Sequence, residues 1–121
     1  MKLINNFLCG VQVASFAEAV AWVERTNLNR QQALDFFKSG AAGSSILTAM
    51  TDRMTARTYE VSFLLRLLNK DLRYAQAAAV DRGVTLSTAA VTEKLFDEAE
   101  RQGLGENDMS AIVEVLRNSK P

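Results

Sequence analysis

The chain has 121 residues, 48% of them apolar and 23% charged, with 14 Lys and Arg against 14 Asp and Glu. That suffices for one globular domain with a buried core, and the even charge balance gives no bulk attraction to nucleic acid. There is no His and one Cys, Cys9, which excludes Ser-His-Asp and Cys-His catalysis, the commonest zinc ligand and any internal disulfide; no metal site is expected. Cys9 lies in an apolar stretch and reads as a small buried hydrophobe in a reducing, cytoplasmic setting. The N-terminus imitates a secretory signal, but Asn5, Asn6 and Gln12 interrupt the apolar run and Glu18 follows it, so neither a signal peptide nor a membrane span is expected.

The only Pro is Pro121, and Ala, Leu, Glu, Gln and Arg abound, so the chain reads as all-α. A first helix is expected from near Leu3 to near Arg25, with Val13, Phe16, Ala17, Val20 and Val23 at helical spacing and Trp22 adding a large apolar group. Thr26-Asn27-Leu28-Asn29 breaks it. Asn29 and Gln32 have capping-box spacing and open a second helix that ends at Ser39-Gly40. A third is expected over Ser45–Thr55. A fourth spans Val61–Arg82, burying Phe63, Leu64, Leu67, Leu68, Leu72, Ala75 and Ala79, with Gly83 as its C-cap. A fifth covers Ser87–Gln102, closed by Gly103-Leu104-Gly105. Asp108 caps a last helix through Ile112, Val115 and Leu116. Six helices in one compact bundle are expected, with no strand alternation and no internal repeat.

Three groups of residues have the composition of a ligand site. Lys2 and Asn6 stand at i and i+4 on one helix face, a cation beside an amide that suits either a solvated first turn or a polar, anionic small molecule. Gly40-Ala41-Ala42-Gly43-Ser44-Ser45 serves equally as a helix–helix turn or as a place where backbone N–H groups approach a ligand. Arg66, Lys70 and Arg73, at i, i+4 and i+7, form a basic stripe fit for phosphate or carboxylate, or a solvated charged face.

These pieces resemble a known family. Lys2-Leu3-Ile4-Asn5-Asn6 is similar to the K-x-x-N-N motif of the β-hydroxyacid dehydrogenases, the 3-hydroxyisobutyrate dehydrogenase family. Gly40-Ala41-Ala42-Gly43-Ser44 resembles the small-residue turn after the second helix of their C-terminal domain. Phe63 followed by Lys70-Asp71-Leu72 resembles their F-x6-K-D-L element, and Asp108-Met109-Ser110-Ala111 the D-x-S-A start of their final helix. The resemblance covers residues 2 to 118. It implies the all-helical C-terminal domain, like that of 6-phosphogluconate dehydrogenase, of an enzyme whose N-terminal Rossmann domain carries G-x-G-x-x-G and binds NAD or NADP. No G-x-G-x-x-G occurs here, since Gly103-Leu104-Gly105 follows a helix rather than a strand. Residues 1–121 are therefore expected to be a single C-terminal, substrate-side and dimerisation domain, inactive without the Rossmann part.

By that resemblance Lys2 is the catalytic residue, Asn6, Gly43 and Ser44 bind substrate, and Lys70, Phe63 and Asp71 bind cofactor. The implied substrate is a small 3-hydroxyacid such as 3-hydroxyisobutyrate, or the aldehyde acid 2-hydroxy-3-oxopropionate. The implied state is a homo-oligomer with no nucleic-acid or membrane partner. The alternative reading is a helical oligomerisation module in which Lys2 is a surface residue.

Overall fold

The computed structural model describes residues 1–120. Six α-helices follow one another: α1 (Lys2–Glu24), α2 (Arg30–Ser39), α3 (Ser45–Ala56), α4 (Leu65–Val80), α5 (Ser87–Arg101) and α6 (Val113–Asn118), the last entered through a 3-10 turn at Met109–Ile112. No strand occurs among the described residues; one isolated antiparallel bridge joins Leu64 to Asp108.

The helix boundaries follow local chemistry. Thr26 turns its hydroxyl back to the Val23 carbonyl at the end of α1. Asn29 accepts the Gln32 N–H at the start of α2, and Ser44 accepts the Leu47 N–H at the start of α3, which satisfies donors the first turn leaves free. Gly83 takes the left-handed conformation after α4, with φ 75°, as its C-cap role requires.

α1 is the central element and packs against every other helix. Its 23 residues include a window of mean hydropathy 1.3, long and apolar enough to cross a membrane, and half of that window is buried in the bundle. Val13, Ala14, Phe16, Ala17 and Val20 are buried against Leu34 of α2, Met50 and Met54 of α3, Leu65, Leu68 and Leu72 of α4, Phe96 of α5 and Ile112 and Val113. Trp22 lies outside this core and is 75% exposed, and Cys9 is half-buried. Gly10 sets the approach of α1 to α4, because a Cβ there would lie 3.0 Å from Leu72 Cδ2.

Two expectations change. The fourth helix begins at Leu65 rather than Val61, because Ser62 and Phe63 bond across to Asp108 and Met109 instead of to their own helix. The last helix is split, since Asp108 caps a 3-10 turn through the Ser110 N–H before α6 begins.

The C-terminal end of α1 is tied by one guanidinium. Arg117, with an 8% exposed side chain, donates to both Glu24 oxygens at 2.6 and 2.9 Å, to Glu114 at 2.8 Å, to Tyr59 at 3.2 Å and to the Met54 carbonyl at 2.8 Å. Tyr59 also donates its hydroxyl to Glu114. The Arg117 hydrogen bonds hold Glu24 below the usual carboxylate range. Burial alone would raise Glu114, but its bonds to Tyr59 and Arg117 prevail and lower it.

Two outcomes are expected. Arg117→Ala strands two partly buried carboxylates and should cost about 3 kcal/mol, read as a lower urea midpoint. Because both folded-state carboxyl pKa values are depressed, the pair's stabilisation is full above the ordinary carboxylate range and lost as pH falls through the depressed values. The wild type should therefore lose stability on acidification more steeply than Arg117→Ala. Separately, Gly43 lies where an added Cβ would sit 2.1 Å from the Lys38 carbonyl oxygen. Gly43→Ala must move backbone, and should lower the melting temperature by several degrees, on the order of 1–3 kcal/mol.

Candidate functional site

α1 and α4 cross so that the N-terminal turn of α1 faces the first half of α4. The Val61–Leu64 segment closes the third side. A groove of about 600 Å³ lies between them, lined by the polar residues Lys2, Asn6, Ser62, Lys70 and Asp71, by Phe63, and by the apolar Leu3, Val61, Leu64 and Leu67. Five of the seven residues expected from sequence therefore share one groove: Lys2, Asn6, Phe63, Lys70 and Asp71. Helical spacing explains the pairs within each element, since Lys2 and Asn6 are one turn apart on α1. That the two elements meet is a tertiary result.

Asn6 is 7% exposed and donates its side-chain amide to Asp71 Oδ2 at 2.8 Å. This bond spans α1 and α4 and fixes which end of the carboxamide is nitrogen. One N–H and the carboxamide oxygen remain for a ligand.

The cations differ in their partners. Arg66 pairs with Glu106 at 2.6 Å, and Arg73 with Asp97 at 3.6 Å and Glu93 at 3.9 Å, so the basic stripe of α4 divides and its two arginines are already neutralised. Lys2 and Lys70 form no ion pair among the described residues, and the Lys70 ammonium lies 5.7 Å from the centre of the Tyr74 ring. Two uncompensated ammoniums in one groove, against the single carboxylate Asp71, make it an anion-seeking surface. This donor set fits an anionic dinucleotide or a small carboxylate: Lys70 offers charge, Phe63 an aromatic face and Asn6 hydrogen bonds.

Gly43 and Ser44 lie elsewhere. Neither lines the groove; Gly43 closes the turn by donating its N–H to Gly40, and Ser44 caps α3.

Val61, Ser62 and Leu64 also wall the groove, without a motif in the sequence to mark them or what holds them. Asp108 is fully buried. Its Oδ1 accepts the Ser62 N–H and hydroxyl, both at 2.9 Å, and the Phe63 N–H at 3.1 Å. Its Oδ2 accepts the Ser110 N–H at 3.0 Å and hydroxyl at 2.5 Å. Burial alone would raise this carboxyl, but the hydrogen bonds from Ser110, Phe63 and Ser62 outweigh it and lower it. Only the short-range half of that arrangement, the Ser110 cap, has a sequence signal.

Comparison with known proteins agrees with this fold. The family model described as NAD-binding of NADP-dependent 3-hydroxyisobutyrate dehydrogenase matches residues 1–116. The chain is 29% identical over 120 residues to glyoxylate/succinic semialdehyde reductase 1 of Arabidopsis thaliana, covering 99% of this chain and 42% of that one. It is 26% identical over 115 residues to 2-hydroxy-3-oxopropionate reductase of Escherichia coli, covering 95% and 39%. Its fold is similar to a crystal structure of 3-hydroxyisobutyrate dehydrogenase from Salmonella typhimurium, with a TM-score of 0.87 and 24% identity over 94% of this chain and 40% of that one. The chain spans about two fifths of the length of these relatives and matches their C-terminal portion. It belongs to the β-hydroxyacid dehydrogenase family, as its helical C-terminal region.

Proposed function

We propose that this chain is the substrate-side, catalytic-lysine domain of an NAD- or NADP-dependent 3-hydroxyacid dehydrogenase, working in the cytoplasm with a dinucleotide-binding domain that these 121 residues do not contain. The observation that carries the reading is the meeting of Lys2 and Asn6 from α1 with Phe63, Lys70 and Asp71 in one groove, where neither ammonium has a carboxylate partner. Family membership and the NADP named by the family model support it.

The nicotinamide, when bound, accepts or gives the hydride. The residues of this chain do the rest. The Lys2 ammonium donates a hydrogen bond to the substrate carbonyl oxygen during reduction, stabilises the charge that develops there and passes it a proton. In oxidation the neutral amine accepts that proton from the hydroxyl. Asn6, held by Asp71, orients the substrate from the next turn. Lys70 offers charge to the cofactor, and Phe63 packs beside it. The substrate class is a small 3-hydroxyacid or the corresponding aldehyde acid, whose single carboxylate suits the positive groove.

The test begins with the chain alone. Added NADP⁺ or NAD⁺ with 3-hydroxyisobutyrate should shift the amide resonances of Lys2, Asn6, Phe63 and Lys70, with no nicotinamide reduction by absorbance. Turnover should appear when the dinucleotide-binding half of a relative is supplied, fused or in trans. In that assembly Lys2→Ala should cost about a hundredfold or more in rate while changing stability by no more than about 0.5 kcal/mol. Lys70→Ala should act mainly on cofactor affinity. Turnover by the 121 residues alone, or near-normal turnover after Lys2→Ala, would overturn the assignment.

A second groove, mostly apolar and of about 380 Å³, lined by Ile4, Phe7, Ala78, Ala79, Val84 and Leu86, lies beside the first, with Ile4 and Val84 at least half exposed. Apolar surface of this kind favours association, so the proposal includes a homo-oligomer built on α1 and α4. Light scattering should give a mass above 13.3 kDa at high concentration; a strict monomer would count against it.

A further inference from the structure

We propose that Asp108 is a positioning residue for the groove: its buried carboxylate fixes the Val61–Leu64 wall, and so sets where Phe63 stands relative to α4. The inference rests on the reading of this groove as the cofactor-side site. It assigns a role to a residue outside the groove.

The bonding pattern distinguishes Asp108 from an ordinary helix cap. A cap serves the first turn of its own helix, and Asp108 does so through Ser110. Three further donors, the Ser62 N–H, the Ser62 hydroxyl and the Phe63 N–H, come from 45 and 46 residues earlier in the chain. All three converge on the oxygen that the cap leaves free. The Arg53 guanidinium stands 3.4 Å from the other oxygen, so the charge of the buried carboxylate has a partner as well as hydrogen bonds.

The backbone bonds of the wall leave the pattern of the helix that follows it. A helix beginning at Val61 would send the Leu65 and Arg66 N–H groups to the Val61 and Ser62 carbonyls. Instead they go to Asn107 and Gly105, at 2.9 and 3.1 Å, and the Met109 N–H bonds the Phe63 carbonyl at 2.9 Å. Asp108 lies at the centre of this exchange and fills it from the side-chain direction. The result is a bent, non-helical wall whose half-buried Phe63 ring lines the groove beside Lys70. Lys2 and Asn6 stand on α1, which has no hydrogen bond to Asp108 or to the wall. Loosening Asp108 should therefore disturb the Phe63 side of the groove and spare the Lys2 side.

The experiment compares three variants of the chain, with folding followed by circular dichroism and NADP⁺ as the titrant. Asp108→Asn cannot satisfy both sets of donors, since one end of its amide is itself a donor. Folded Asp108→Asn should lose hydrogen-exchange protection at the Ser62 and Phe63 amides. It should bind NADP⁺ about tenfold more weakly, with the wall no longer preorganised, while the free-state resonances of Lys2 and Asn6 stay in place. Where Asp108→Asn does not fold, Ser62→Ala and Ser110→Ala replace it, since each removes one hydroxyl from the same carboxylate. Each should lower hydrogen-exchange protection at the Phe63 amide and weaken NADP⁺ about threefold, Ser110→Ala without touching the groove itself. Wild-type protection and affinity in Asp108→Asn, or in Ser110→Ala where Asp108→Asn does not fold, would overturn the proposal. Absence of any NADP⁺ shift in the wild type is a different failure: it removes the cofactor reading itself, and the positioning role with it.

Discussion

The close approach of α1 to α4 is the constraint on which the rest of the molecule depends. At Gly10 the helix surface is cut back to backbone, and the Leu72 side chain occupies the space where a Cβ would otherwise be crowded to 3.0 Å. One turn earlier on α1 and on the neighbouring position of α4, Asn6 and Asp71 join at 2.8 Å. The apolar contact sets the spacing and the polar one sets the register, since a buried amide without its partner costs more than a made bond returns. With both in place, Lys2 and Lys70 are carried to the same groove although 68 positions separate them in the sequence. A Cβ at Gly10 would require the Leu72 side chain to give by a few tenths of an ångström.

Much of the fold was legible because it is written locally. The Asn29 cap, the missing interior Pro and the left-handed Gly83 are short-range signals, and α1, α2, α3 and α5 begin within a residue of where they are expected. The beginning of α4 was not legible. Ser62, Phe63 and Leu64 have the spacing of a helical first turn, and what stops the helix there is a carboxylate more than forty residues later. The basic stripe failed similarly: spacing shows that Arg66 and Arg73 share a face with Lys70, and cannot show that Glu106, Glu93 and Asp97 stand opposite them. For the candidate site, the motif resemblance supplied Lys2, Asn6, Phe63, Lys70 and Asp71, and packing brings those five together. Gly43 and Ser44 came from a segment whose small residues already have a local use, a turn that passes within 2.1 Å of where a side chain would begin and a helix cap.

The treatment of charge separates the two ends of α1, which lie about 33 Å apart at 1.5 Å per residue. At the C-terminal end both carboxylates are answered: Glu24 holds Arg117, Arg117 holds Glu114, and Arg57 and Arg30 stand at their edges. At the N-terminal end two ammoniums share a groove with one carboxylate, and that carboxylate is engaged by an amide rather than by either lysine. An uncompensated cation near low-dielectric walls adds nothing to stability, whereas a ligand anion placed there gains from both charges at once. A protein selected only to associate through its helices has no need to leave Lys70 unpaired where Arg66 and Arg73 are paired. That Lys70 stands instead over the Tyr74 ring, free of a carboxylate, favours the ligand-binding reading over the oligomerisation module. The same asymmetry predicts how damage should divide. Changes around Arg117 should appear as lost stability with the groove intact, and changes at Lys2 or Lys70 as lost ligand response with the bundle intact, because no charged group is shared between the two ends.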